Sequence, residues 1–167
     1  MNRWIELLKN DNYLGIKKYI KNGGDLSETN ETGESVLAYS LREHCNIETI
    51  MLLIDKGADV FEFDDEGVSI FDMSITYGNI DMFNYLLEKG VDINATTRRS
   101  GFTPLMAAVC YGRIDIVKIL ISKGVKQEVK DLKGFRAIDF ARKMNKKSIL
   151  KLLDFDDNEV VNMGYAR

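Results

Sequence analysis

The sequence predicts an all-α fold, an elongated solenoid of about five helix-turn-helix units joined by short β-hairpin-like loops, and three observations carry that prediction. First, Gly33, Gly67, Gly101 and Gly134 recur at intervals of 34, 34 and 33 residues, each followed two positions later by Ser35, Ser69, Thr103 or Arg136. Second, Gly23, Gly57, Gly90 and Gly124 recur at 34, 33 and 34 and close apolar runs such as Met51-Leu52-Leu53-Ile54 and Tyr85-Leu86-Leu87. Two sets of landmarks holding one phase define a repeat period in the solenoid range. Third, residues 101–130 contain the start and stop signals of two consecutive helices.

In that stretch Thr103 is placed to cap a helix, and Pro104 takes the first helical position, where no amide partner is needed. Leu105, Ala108 and Val109 fall at i, i+3 and i+4 and share a buried face, while Gly112 can adopt the left-handed conformation that ends the helix. The second helix follows Arg113. Ile116, Val117 and Leu120 form its inner stripe, flanked by Ile119 and Ile121, with Gly124 as the stop. Neither helix can hide its apolar face alone, so stability requires like units stacked on it.

The other units follow in order, at about 1–29, 30–63, 64–97 and 131–153 around this one at 98–130. In the first, Trp4, Ile5, Leu7 and Leu8 make one helix and Tyr13, Leu14, Ile16, Tyr19 and Ile20 the next. It lacks a Thr-Pro-Leu start, as a cap with one face in water can. The second carries Ser35-Val36-Leu37, and its Leu41-to-Asn46 turn is one residue longer than its counterparts, tolerable at a surface turn. The third has Ser69-Ile70-Phe71, Gly78-Asn79 and Met82-Phe83. The fifth has Arg136-Ala137-Ile138, Ala141, Ile149-Leu150 and Leu152-Leu153, with lysines crowding its outer side, and reads as the closing cap. From Asp154 the period fails, and 154–167 reads as an acidic, mobile tail.

Thr103-Pro104-Leu105 with Ala107-Ala108, then Ile116-Val117, Gly57-Ala58-Asp59-Val60 and Gly90-Val91-Asp92-Ile93-Asn94-Ala95, resemble the ankyrin repeat. The resemblance covers nearly the whole chain. It implies a non-enzymatic scaffold that binds another protein on a concave face built from hairpin tips and first helices. Asn94 resembles the family asparagines that are hydroxylated in eukaryotes, but a structural job is expected of it here.

Composition narrows the alternatives. With 45% hydrophobic residues, 167 residues suffice for one continuous core. The apolar run at Trp4 is cut by Glu6 and Lys9-Asn10-Asp11-Asn12, unlike a signal peptide, and no run approaches the roughly 18 residues of a membrane span. Cys45 and Cys110 lie on different units, which argues against a disulfide framework and suits a cytoplasmic location. A monomer is expected when free.

No catalytic, metal or cofactor site is expected. His44 is the single histidine, which excludes a histidine pair on zinc; a His44–Cys45 nucleophile is set aside because both fall in a turn where surface residues are ordinary. Asp64-Asp65-Glu66 lacks the spacing of a calcium loop. Every glycine with a motif-like neighbour is used by the repeat, so no phosphate loop is left over. The tyrosines at helical spacing are read as core or rim, not as a haem or base-stacking surface.

Charge is segregated. Residues 1–95 hold 8 Lys+Arg against 18 Asp+Glu, a net of −10, and residues 96–153 hold 14 against 4, a net of +10. Such polarity steers a partner of opposite arrangement. Nucleic acid is disfavoured, since no stacking or groove-reading motif accompanies the basic half.

The expected binding surface is the middle of the concave face: Phe61, Phe63, Asp64, Asp65 and Glu66 with Tyr77, Arg98, Arg99, Phe102 and Tyr111. Tyr39, Met73, Met106 and Cys110 are expected to face the same way. Two other readings stand beside the scaffold. One is an inhibitor or immunity-type binder that covers an enzyme's active site; the other is an accessory carrier of a small ligand or haem, with a tyrosine, His44 or Cys45 as the contact.

Overall fold

In the computed structural model, which describes residues 2–153, the chain forms short helices joined by turns. These are α1 (Arg3–Lys9), α2 (Tyr13–Lys21), α3 (Val36–Arg42), α4 (Ile47–Asp55), α5 (Ile70–Thr76), α6 (Ile80–Glu88), α7 (Pro104–Cys110), α8 (Ile114–Ser122), α9 (Ala137–Lys143) and α10 (Lys147–Leu150). They form five helix pairs, the all-α repeat fold that the glycine spacing predicts. The expected tail at 154–167 lies outside the described residues. The hairpin-like loops are slighter than their name: among the described residues no strand forms, and one antiparallel bridge joins Phe63 to Ser69.

The first helices of the second, third and fourth pairs start on a side-chain cap. Ser35 accepts from Ala38 N at 3.1 Å, Ser69 from Asp72 N at 3.0 Å and Thr103 from Met106 N at 3.2 Å, the hydroxyls satisfying amides that the helix leaves open. Asp72 reciprocates by accepting from Ser69 N at 3.0 Å. In the fifth pair Arg136 replaces the hydroxyl, and only the return bond survives, Arg136 N to Asp139 at 2.8 Å.

Each first helix also stops in the same way. Two residues past its end the backbone turns left-handed, at Asp11, His44, Gly78, Gly112 and Asn145, with φ between 46° and 67°. The next amide then reaches back to the last turn, as in Asn79 N to Ser74 O (2.8 Å), Arg113 N to Ala108 O (2.8 Å) and Cys45 N to Ser40 O (3.0 Å). In four pairs that residue opens the second helix directly. The extra residue of the second pair separates these duties: Cys45 closes α3, and Asn46 starts α4.

The chain divides into two compact units between Leu86 and Leu87, inside α6. In the N-terminal unit α1 packs on α3, α3 on α5 and α2 on α4, burying Trp4, Leu8, Ile16, Leu41, Ile50 and Leu53. Asp11 ties the first pair to the second, its carboxylate accepting from Thr49 Oγ1 at 2.7 Å, from Asn46 N at 3.1 Å and from the Asn46 amide group. The long turn is therefore more than a tolerated insertion. Cys45 is buried in it and its thiol donates to Leu8 O at 3.1 Å.

In the C-terminal unit α7 packs against both α8 and α9. Being covered twice, it buries Met106 and Ala107 as well as Leu105, Ala108 and Val109. Asn94 has the structural contact expected of it, accepting from Lys126 N at 2.7 Å and so linking consecutive repeats.

Candidate protein-binding surface

In the N-terminal unit the predicted residues gather at one hairpin. Asp59 accepts from Phe61 N at 2.9 Å, and the extended stretch beyond it alternates outward and inward. Phe61 and Phe63 point out and are 60% and 61% exposed. Glu62, between them, turns inward to accept from the hydroxyl of Ser35, the N-cap of α3. Burial pushes the Glu62 carboxyl up; the Ser35 bond opposes the rise and Asp59 adds to it. The tip closes on Asp64, whose carboxylate accepts from Glu66 N and Val68 N, both at 2.9 Å. Asp65 and Glu66 face solvent.

The preceding tip is built alike, with Asn30 accepting from Thr32 N and Glu34 N. There burial pushes the Glu34 carboxyl up, but its bonds to Arg42 (2.8 and 3.0 Å), Asn30 and Thr32 outweigh burial and hold it below its ordinary value.

Tyr77 stands apart from this hairpin. It is the C-cap of α5, whose N-cap Ser69 pairs with Phe63, so seven helical residues, about 10 Å of rise, lie between them. It is half-buried, with the His44 ring edge-on at 6.2 Å.

In the C-terminal unit, Arg98, Arg99 and Phe102 share the next hairpin. The Arg98 guanidinium lies 5.2 Å over the Phe102 ring, and Phe102 is itself half-buried, edge-on to Phe140 of α9 at 5.4 Å. Phe102 thus belongs largely to the packing between neighbouring repeats, whereas Arg99 is exposed. Tyr111, the C-cap of α7, is 51% exposed at the far end of that helix. Of the four further first-helix residues expected on this side, Tyr39 and Met106 are buried, Tyr39 against Trp4 at 5.4 Å and beneath Arg42 at 4.6 Å. Met73 and Cys110 are half-buried.

These ten short helices, with their shared caps and left-handed stops, agree with the family comparison: Ankyrin repeats (3 copies) match residues 5–97, and Ankyrin repeats (many copies) match 74–121. The chain belongs to the ankyrin-repeat family. Ankyrin repeats are protein–protein interaction modules. No curated protein matches this ankyrin chain.

Two exposed residues are not among the ten expected binding residues although the ankyrin register points to them. Met144, 44% exposed, is the C-cap of α9 and the counterpart of Tyr111. Leu132, 78% exposed, occupies the tip position held elsewhere by Glu31, Asp65 and Arg99.

Nor does the second turn of this ankyrin chain offer the chemistry its residues suggest. Burial, with the Asp11 carboxylate beside it, drives the Cys45 thiol up to about 12, and the protonated thiol is buried against the Leu8 carbonyl. Among the described residues no group of three or more His, Cys, Asp or Glu is placed to hold a metal ion, and no helix is long and apolar enough to cross a membrane.

Proposed function

We propose that this ankyrin chain is a non-catalytic scaffold that binds another protein through its hairpin tips and the exposed ends of its first helices. One observation carries the reading: Phe61 and Phe63 are held outward by a hairpin whose fold uses Glu62, Asp64 and the backbone, but neither aromatic ring. Two large apolar side chains exposed together on one short segment match the aromatic anchors of interfaces. Asp65 and Glu66 flank them and supply a polar rim, suited to setting orientation and association rate. Tyr77 in the N-terminal unit, and Arg98, Arg99, Phe102 and Tyr111 in the C-terminal unit, are the further residues assigned to binding, with Tyr111 and Arg99 the more accessible of these.

The experiment is site-directed photocross-linking in extracts of the source cells, with the probe at Phe61 and, as control, at Leu14 on α2. A protein captured from position 61 and not from 14, once identified, should be retained by wild type in a pull-down and lost from Phe61→Ala/Phe63→Ala, with each anchor contributing roughly 1–2 kcal/mol. Equal capture by wild type and the folded double variant would place the interface elsewhere.

A further inference from the structure

The turn chemistry of the tips leaves two positions unassigned. At 30–34, 64–68 and 131–135 the first side chain accepts two backbone amides, with Asp131 bonding Lys133 N and Phe135 N at 2.9 Å. The fourth residue is a glycine with positive φ. The second side chain makes no part of the turn; at the third, Thr32 donates to Asn30 and Ser100 accepts from Phe102 N, but neither bond calls for a charge, so folding dictates no charge at either position. They read Glu31-Thr32 and Asp65-Glu66 in the N-terminal unit, but Arg99-Ser100 and Leu132-Lys133 in the C-terminal unit. The sign of the charge reverses where the fold is indifferent to it.

In the C-terminal unit the two tips adjoin. Leu132 N donates to Ser100 O at 3.0 Å, and a Cβ placed on Gly101 would meet Leu132 N at 3.2 Å. Arg99, Lys130, Leu132 and Lys133 are therefore exposed on one surface. The acidic groups nearby are engaged: Glu128 with Arg136 at 3.0 Å, Asp139 buried beneath Arg136, and Asp131 in its turn. Asp115, the remaining acid of residues 96–153, is on α8. Among the described residues no ion pair joins Arg99, Lys130 or Lys133 to a carboxylate.

We propose that these adjoining tips bind an acidic polypeptide segment that carries an apolar side chain, carboxylates meeting Arg99, Lys130 and Lys133 and the apolar group covering Leu132. The inference rests on the protein-binding reading and names the partner's chemistry. A nucleic acid would satisfy the cations, but its phosphate backbone has nothing to bury a branched aliphatic side chain. An acidic peptide offers both groups.

The test titrates the intact protein with labelled peptides of alternating Glu and Leu, about twelve residues long, against a Lys/Leu counterpart, duplex DNA and single-stranded RNA. The acidic peptide should bind, with Kd rising about tenfold or more between roughly 0.05 and 0.3 M NaCl. Arg99→Glu/Lys133→Glu should weaken it about tenfold and flatten the salt dependence, and Leu132→Ala about threefold with the salt dependence kept. These side chains are exposed, and circular dichroism melting verifies that the variants fold. Four results overturn the proposal: no binding of the acidic peptide, equal binding of the Lys/Leu peptide, tighter nucleic-acid binding lost in the charge variant, or peptide binding that appears only after removal of 154–167. The last makes the chain's own acidic segment the occupant. Against the captured native partner, loss of binding in Phe61→Ala/Phe63→Ala but not in the charge variant leaves the scaffold standing and sinks the acidic assignment. Retention in both sinks both.

Discussion

Replacing Asp11 by alanine should detach the first repeat before the rest of the protein unfolds. Asp11 does two jobs, occupying the left-handed position after α1 (φ 46°) and accepting hydrogen bonds from Thr49 and Asn46 of the next repeat. Thr49 is 1% exposed, so losing its carboxylate partner costs about 1.5–2 kcal/mol, while the exposed bonds at Asn46 add about 0.5–1. Alanine in the left-handed region adds about 1 kcal/mol. The sum is about 3–4 kcal/mol for Asp11→Ala. For Asp11→Gly, which relieves the backbone, it is about 2–3, and for Asp11→Asn, which keeps one acceptor oxygen and the turn, about 1. Trp4, the one tryptophan, is fully buried in α1 against Tyr39 and reports the first repeat and its docking on the second, whereas far-UV circular dichroism reports all helices. In urea the Trp4 transition of Asp11→Ala should precede the dichroism transition, its midpoint falling by about 1.5–2 M at an m-value of roughly 2 kcal/mol/M. Coincident transitions, or glycine as damaging as alanine, would refute the division of Asp11 into a turn residue and a bonding residue.

The Glu62 carboxyl, raised by burial, is easier to protonate folded than unfolded, so its contribution to stability is full below the unfolded carboxylate value and lost as pH rises through the folded one. Glu62→Gln should therefore gain about 0.5 kcal/mol at pH 7 and nothing below pH ~4, measured by urea titration at both; a gain independent of pH would show that ionisation is not the cause. Alkylation of the native protein at neutral pH, followed by peptide mass spectrometry, should modify half-buried Cys110 first and reach Cys45 only on unfolding. Labelling of Cys45 at the rate of a free thiol would contradict its bond to Leu8.

Much of the fold was legible because its signals are local. Thr103-Pro104 announces a helix start from two adjacent residues, and the stripe of Ile116, Val117 and Leu120 needs only helical spacing. What eluded sequence reasoning depends on a partner one repeat away. Cys45 looks like a surface turn residue until the Leu8 carbonyl is placed against it. Phe102 looks like an exposed anchor until Phe140 meets its ring, and Tyr39 until Trp4 and Arg42 close over it. Asp11 and His44 take the same left-handed turn as Gly78 and Gly112 without a glycine to advertise it. The candidate surface was half legible: Phe61, Phe63 and Arg99 are exposed as expected, whereas Leu132 and Met144 surface only when equivalent positions are compared.

The side-chain bonds that span about one repeat length, from Asn2 to Thr29, Asp11 to Thr49, Ser35 to Glu62 and Asn94 to Lys126, close loops of 27 to 38 residues. Contacts this short-ranged keep the entropy of loop closure small and favour rapid folding. They also set an order during synthesis. Once the first fifty or so residues have left the ribosome, Asp11 already has Thr49 to hold, and each later repeat can dock on a finished neighbour instead of waiting for the far end of the chain.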